Sequence, residues 1–202
     1  MPGCWGRTMS EADRERWDTR YSKADLVMGP ELKPFVRRVE RLLPRAGRAL
    51  DIACGEGQLA GWLAQRGLDV TAVDISPVAL DKLCRRAETE GWAPRLRAIE
   101  ADLDEGLPPV SRGLALVTCV DFYSPTIMRR ARKLLAPGGM LLVQVVLQPP
   151  EGDSPHRAAP NEALGFARGL QVHYYREGMI GGRALAQLLA QRDPASLPEF
   201  SD

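Results

Sequence analysis

Three aspartates stand where apolar runs give way to turns, a position from which a carboxylate can accept hydrogen bonds or neutralise a cation. Asp51 opens the run Asp51-Ile52-Ala53-Cys54-Gly55-Glu56-Gly57-Gln58-Leu59-Ala60, Asp74 closes Val70-Thr71-Ala72-Val73, and Asp102 with Leu103 follows Glu100-Ala101. Gly55 and Gly57 lack Cβ atoms, so the backbone can take positive φ and let a ligand approach the N-terminus of the next helix. The same turn satisfies the GxGxxA pattern by which strand–turn–helix units hold dinucleotides. The glycines alone therefore leave two nucleoside cofactors open, a nicotinamide dinucleotide and S-adenosylmethionine.

The carboxylates separate these two. A dinucleotide would set its pyrophosphate across the turn from Asp51, and a fixed carboxylate beside phosphate is unfavourable in a low-dielectric cleft. The methionyl end of S-adenosylmethionine carries an ammonium and a sulfonium instead, so an acid here favours the cationic cofactor. Asp74, at the end of the second strand, can accept both hydroxyls of a ribose, each such bond contributing about 1.5–3 kcal/mol. Asp102, at the end of the third, suits the exocyclic amine of adenine while Leu103 packs on the ring. Three acids at successive strand ends line the crevice where open α/β sheets bind ligands.

The elements that must position them follow from periodicity. Residues 31–43 place Phe35, Val36, Val39, Leu42 and Leu43 on one helical face, until Pro44 and Gly47. Residues 49–53 read as a strand, 58–65 as a helix and 69–74 as a buried strand. Ser76-Pro77 supplies an N-cap and first-turn proline for a helix that turns Leu80, Leu83, Cys84 and Ala87 inward and ends before Gly91. Strands are expected at 95–101 and 114–120, and a helix carries Ile127, Met128, Ala131, Leu134 and Leu135 until Pro137-Gly138-Gly139 breaks it ahead of a strand at 140–147. Alternating strands and helices imply right-handed crossovers and a doubly wound α/β parallel sheet. After a Pro-rich loop over 149–160 and a short helix from Asn161, strands at 171–176 and 184–191 are joined so tightly through Gly178, Gly181 and Gly182 that they must be antiparallel.

Residues 49–146 resemble the class I S-adenosylmethionine-dependent methyltransferases, through Asp51-x-x-x-Gly55-x-Gly57, Asp74, Asp102-Leu103 and Leu134-Leu135-Ala136-Pro137-Gly138-Gly139. The resemblance implies a Rossmann-like seven-stranded sheet, mostly parallel with an antiparallel C-terminal hairpin. It also implies a cofactor site of Asp51, Ala53, Cys54, Gly55, Gly57, Asp74, Ile75, Asp102, Leu103 and Val120. Trp17-Asp18-x-Arg20-Tyr21 is similar to the tellurite-resistance and thiopurine type of small-molecule methyltransferase, in which an N-terminal aromatic segment, here carrying Tyr21, closes over the cofactor. Residues 1–30 are then an extension, 31–192 the methyltransferase domain and 193–202 a tail. The methyl group would emerge beyond the fourth strand, at Val120-Asp121-Phe122-Tyr123. There Asp121 is the candidate base for a hydroxyl or amine acceptor and Tyr123 shapes its pocket; otherwise Asp121 caps the helix near Pro125 and Tyr123 only packs. Three positions depart from the family: Gly113-Leu114 replaces an acid opening the fourth strand, Cys54 stands where glycine is usual, and Ala184 and Leu185 offer no arginine for an oxyanion.

The expected function is methyl transfer to a small-molecule acceptor by in-line displacement. A nicotinamide-dependent oxidoreductase and a non-catalytic S-adenosylmethionine-binding protein are the alternatives. Composition narrows the partners. With 27 basic and 26 acidic residues the net charge is +1, which draws the chain neither to nucleic acid nor to an anionic membrane. The arginines Arg37-Arg38, Arg129-Arg130 and Arg132 lack an aromatic ladder and read as exposed helix faces. Cys4, Cys54, Cys84 and Cys119 form no CxxC or CxxH, so no metal is expected and the thiols read as free, in the cytoplasm. The first ten residues hold no apolar signal core, and no apolar run is long enough to span a bilayer. His156 and Arg157 sit in the Pro-rich loop and His173 on a strand edge; oligomeric state is left open.

Overall fold

The computed structural model describes residues 9–24, 26–149 and 156–195. Expectations for Cys4, for the start of the N-terminal extension, for the middle of the Pro-rich loop and for the tail beyond residue 195 lie outside the described residues. The helices are α1 (Met9–Tyr21), α2 (Pro34–Val39), α3 (Gln58–Gln65), α4 (Pro77–Thr89) and α5 (Pro125–Ala131). The strands are β1 (Gly47–Ile52), β2 (Leu68–Asp74), β3 (Leu96–Glu100), β4 (Leu114–Val120), β5 (Leu135–Val146), β6 (Gln171–Ile180) and β7 (Arg183–Gln191). They form one sheet in the order β3-β2-β1-β4-β5-β7-β6, parallel through β5 and antiparallel at β5–β7 and β7–β6. The order reverses between β1 and β4, which puts the ligand crevice of an open α/β sheet at their C-terminal ends.

Neighbouring residues of each central strand enter opposite layers. Leu50, Val117, Leu141 and Leu188 join the apolar cluster beneath α5, whereas Ala49, Leu116, Leu142 and Leu189 join the one containing Phe35, Leu63, Leu83 and Trp92. A strand covered on both faces buries side chains in both directions, so these strands read as near-continuous apolar runs without alternation, interrupted by the buried polar residues Asp51, Thr118, Gln144 and Gln187. Serine caps start two of the helices. Ser76 Oγ accepts the Ala79 N–H at 3.2 Å ahead of Pro77, and Ser124 Oγ accepts the Ile127 N–H at 3.4 Å ahead of Pro125. The cap near Pro125 is thus Ser124, and Asp121 is left for another role.

Three expectations change. The helix foreseen over residues 31–43 is only α2, because Leu42 and Leu43 return their N–H groups three residues back, to Val39 and Glu40, and Leu42 is left 53 % exposed. The α-helix does not reach Leu134 and Leu135: α5 ends at Ala131, Leu134 closes a 3-10 helix over Arg132–Leu134, and Leu135 already pairs with Leu114 in β5. Pro137-Gly138-Gly139 therefore makes a bulge inside the strand. At Gly139 a Cβ would lie 2.4 Å from the Leu114 carbonyl oxygen, so the two strands could not approach with any larger residue there. Gly178 lies within β6, and the hairpin turns on Gly181-Gly182 alone. No helix among the described residues is long and apolar enough to cross a membrane.

Candidate functional site

A cavity of about 420 Å³ opens at the C-terminal ends of β1, β2 and β4. It gathers Tyr21, Asp51, Ala53, Cys54, Gly55, Asp74, Ile75, Asp102, Leu103, Val120, Asp121 and Tyr123, which are the residues the sequence marked, with one exception. Gly57 is that exception. It takes φ 73° as the cap of α3, and a Cβ there would lie 2.1 Å from Leu83 Cδ1, so this glycine lets α3 pack on α4; it does not line the cavity.

The strand ends hold their acids in different states. Asp51 is buried, its Oδ1 accepts the Thr118 hydroxyl at 2.7 Å from the adjacent strand, and its Oδ2 has no partner. Burial lifts its carboxyl from 3.8 to about 7 against the lowering by Thr118. Asp102 is arranged alike: Oδ1 accepts the Asp104 N–H at 2.8 Å and Oδ2 is buried without a partner. Asp74 already takes the N–H of Gly55 at 2.7 Å and of Ser76 at 3.0 Å, so it closes the glycine turn with one lone pair of each oxygen and faces the cavity with what remains. Its carboxyl is also raised, by burial more than those hydrogen bonds offset. Burial, with Asp74 and Asp51 close by, pushes the Cys54 thiol well up, so Cys54 is a neutral wall.

The N-terminal segment is tied across one side of this cavity. Glu56, fully buried within the turn, accepts the N–H groups of Val27 and Met28, both at 3.1 Å, and pairs with Lys82 at 3.0 Å. Lys82 in turn donates to the carbonyls of Tyr21 and Ala24, Gln58 to that of Gly29 at 2.9 Å, and Ser76 to Asp18. Tyr21 is thereby set with its hydroxyl 2.7 Å from where a Gly55 Cβ would be, and Trp17 stacks on Tyr21 at 5.7 Å.

At the far end of the cavity the backbone of Asp121 is left-handed, φ 63°, a conformation that costs a non-glycine residue about 1–2 kcal/mol. Its Oδ1 accepts Gln144 at 2.9 Å, which is held by Gln187 at 2.8 Å, and its Oδ2 faces Lys33 at 3.0 Å and Arg183 at 3.4 Å. Burial works to raise this carboxyl, but the hydrogen bonds of Gln144 and Lys33 and the two cations outweigh it and hold it below the ordinary value. Near neutral pH Asp121 is therefore a carboxylate with little tendency to take a proton. Tyr123 donates to Glu162, and burial with that carboxylate raises the phenol, so it is a poor acid as placed. Lys33, Lys82, Thr118 and Arg183 were not marked in the sequence, because none has a spacing tied to the glycine turn, and Glu56, inside that turn, was not marked because its partners Val27, Met28 and Lys82 lie far away in the chain. No arginine stands at 184 or 185, but Arg183, one residue earlier, reaches Asp121.

Comparison with known proteins places this geometry. Residues 49–139 match the methyltransferase domain family. The chain is 35 % identical over 143 residues to the ubiquinone biosynthesis O-methyltransferase of Caulobacter sp. (strain K31), covering 64 % of this chain and 57 % of that protein. It thus spans little more than half of that relative. Among solved structures it shares the fold of TehB from Haemophilus influenzae, with a TM-score of 0.68 at 17 % identity over 89 % of this chain and 67 % of that one. It also shares the fold of the [4+2]-cyclase SpnF, with a TM-score of 0.64 at 18 % identity over 79 % of each chain. The sheet order and antiparallel hairpin are those of the Rossmann-like methyltransferase fold, and residues 49–139 within it match the methyltransferase domain family. A cyclase on the same fold means that the reaction has to be argued from the site.

Proposed function

We propose that the chain binds S-adenosylmethionine in this cavity and passes its methyl group to a small-molecule acceptor by in-line displacement. The observation that carries the reading is the pair of buried, unpartnered oxygens, Asp51 Oδ2 and Asp102 Oδ2, lining one cavity on either side of Asp74. A buried polar atom without a partner forfeits about 1–3 kcal/mol. An ammonium at Asp51, ribose hydroxyls at Asp74 and an adenine amine at Asp102 would restore those bonds in the order in which the three strands stand. When bound, the sulfonium supplies a methyl group already activated for transfer. The chain's own residues then have to orient and desolvate: Leu103 packs the base, the segment through Tyr21 covers the site, and Val120 and Phe122 wall the path to the acceptor. Asp121, ion-paired and depressed, orients more readily than it deprotonates, which suits an acceptor that sheds its proton easily.

The rival cofactor, a nicotinamide dinucleotide, would set a pyrophosphate beside Asp51, which Thr118 holds in place. The cavity also continues past Val120 to Phe122 and Tyr123, giving an acceptor room that a purely cofactor-binding protein has no use for. A cytoplasmic setting agrees with free thiols at Cys54, Cys84 and Cys119. Calorimetry with S-adenosylhomocysteine tests the assignment. Removing one charge-assisted bond worth about 1.5–3 kcal/mol weakens binding about ten- to hundredfold in Asp51→Asn or Asp102→Asn. Equal affinity in both variants and the parent, or tighter binding of NAD, overturns it.

A further inference from the structure

His156 is a wall shared with a second, open cavity of about 320 Å³, lined also by Val146, Leu147, Pro149, Arg157, Arg183 and Ala184. This cavity lies where β5 ends and β7 begins, beyond the point at which a transferred methyl group would emerge. Among the described residues, no carboxylate lines it. Arg157 and His156 are exposed, and neither pairs with a carboxylate among the described residues. Arg183, with half its side chain exposed, gives one N–H to Asp121 at 3.4 Å, and that same carboxylate oxygen is held at shorter range, 3.0 Å, by Lys33. Two cations, Lys33 and Arg183, thus share a single carboxylate. The rest of the lining, Val146, Leu147 and Ala184, is apolar.

The two ends of the cleft are therefore opposite in charge. The cofactor end is lined by Asp51, Asp74 and Asp102, and at the far end Lys33, Arg157 and Arg183 outnumber Asp121. Clefts lined by one sign of charge between low-dielectric walls concentrate ligands of the other sign, and a guanidinium offers two parallel donors that match a carboxylate. We propose that the second cavity is a subsite for the acceptor's distal end, and that the acceptor is an amphipathic organic anion: a carboxylate seated on Arg183 and Arg157, with an apolar body running along Val146, Leu147 and Ala184 toward Phe122. This specifies the acceptor class for the methyl transfer proposed above and rests on that reading. Asp121 is then a positioning residue, holding Lys33 and Arg183 at the mouth of the subsite.

The test is calorimetric, on the full chain saturated with S-adenosylhomocysteine. The probes are 3-phenylpropanoate, its neutral amide 3-phenylpropanamide, and acetate, which carries the anion without the body. The carboxylate should bind at least tenfold more tightly than the amide and than acetate. Arg183→Gln and Arg157→Gln should each remove most of the preference over the amide while leaving S-adenosylhomocysteine affinity within about twofold. Equal binding of carboxylate and amide, no binding of either, or a preference untouched in both variants overturns the subsite. Binding of acetate as tight as that of 3-phenylpropanoate overturns the apolar half of it. If S-adenosylhomocysteine itself does not bind, the cofactor reading is what has failed, and the same contrasts measured on the free protein still decide whether the cavity selects an amphipathic anion.

Discussion

Asp51 is where the electrostatics of the cleft are most sensitive to solution conditions. Its carboxyl is raised by burial from 3.8 to about 7, so the folded protein holds a proton there more tightly than the unfolded chain does. The stability this contributes is complete below about pH 4 and is lost as the pH rises through about 7, at most about 4 kcal/mol in all. Asp51→Asn cannot titrate. Urea unfolding of the ligand-free proteins at pH 4.5 and 7.5 should show the parent losing stability relative to the variant, and a difference that does not change with pH contradicts the raised carboxyl. A cationic ligand requires the ionised form, so affinity for S-adenosylhomocysteine should climb over the same interval in the parent and stay flat in Asp51→Asn. The aspartates themselves were legible in the sequence, because each ends an apolar run. Their differing states were not, since those depend on Thr118 reaching across from β4 and on N–H groups supplied by the Gly55 turn.

At the scale of elements, the glycine turn joins two devices that serve different neighbours. Gly57 lets α3 lie against Leu83 of α4; an alanine there must adopt a left-handed φ and push Leu83 aside. Gly57→Ala should therefore cost about 2–4 kcal/mol in urea unfolding, and a loss below about 0.5 kcal/mol would mean that the helices do not meet as closely as described. Glu56 serves the other neighbour, the segment over residues 22–29, through two backbone N–H groups and Lys82. Glu56→Gln keeps the shape but withdraws the charge that holds Lys82. Hydrogen exchange at Val27 and Met28 should then quicken at least tenfold, with the central strands unchanged, and release of S-adenosylhomocysteine should become faster. Unaltered exchange at those two amides would show that the segment is held by something other than Glu56. The spacing of the turn announced a helix start, but the partners of Gly57 and Glu56 come from chain segments some 26–29 residues away, where no local pattern points.

For the whole molecule, the C-terminal hairpin is part of the core and not an appendage. β7 lies between β5 and β6, and Ala186, Leu188, Leu189 and Ala190 along it are fully buried, feeding both apolar clusters. A chain ending at residue 169 would leave the apolar row from Met140 to Val146 without its neighbour, and it should show no cooperative thermal transition, in contrast to the full chain. A sharp transition in the shortened protein would mean that the first five strands suffice.

The α/β plan, the antiparallel closing hairpin and the acids at three strand ends are written in local patterns, because apolar runs, glycine turns and Ser-Pro caps act over distances of a few residues. Periodicity overreached where bonding changed type within a continuing apolar pattern, as at Leu42 and at Leu134-Leu135. Folding alone could bring Lys33, Asp121 and Arg183 together across some 150 residues of chain, leave one oxygen of Asp51 and of Asp102 unpartnered, and open a second cavity at His156. Charge, burial and hydrogen-bond partners are properties of the space between elements, and a linear pattern specifies the elements but not that space.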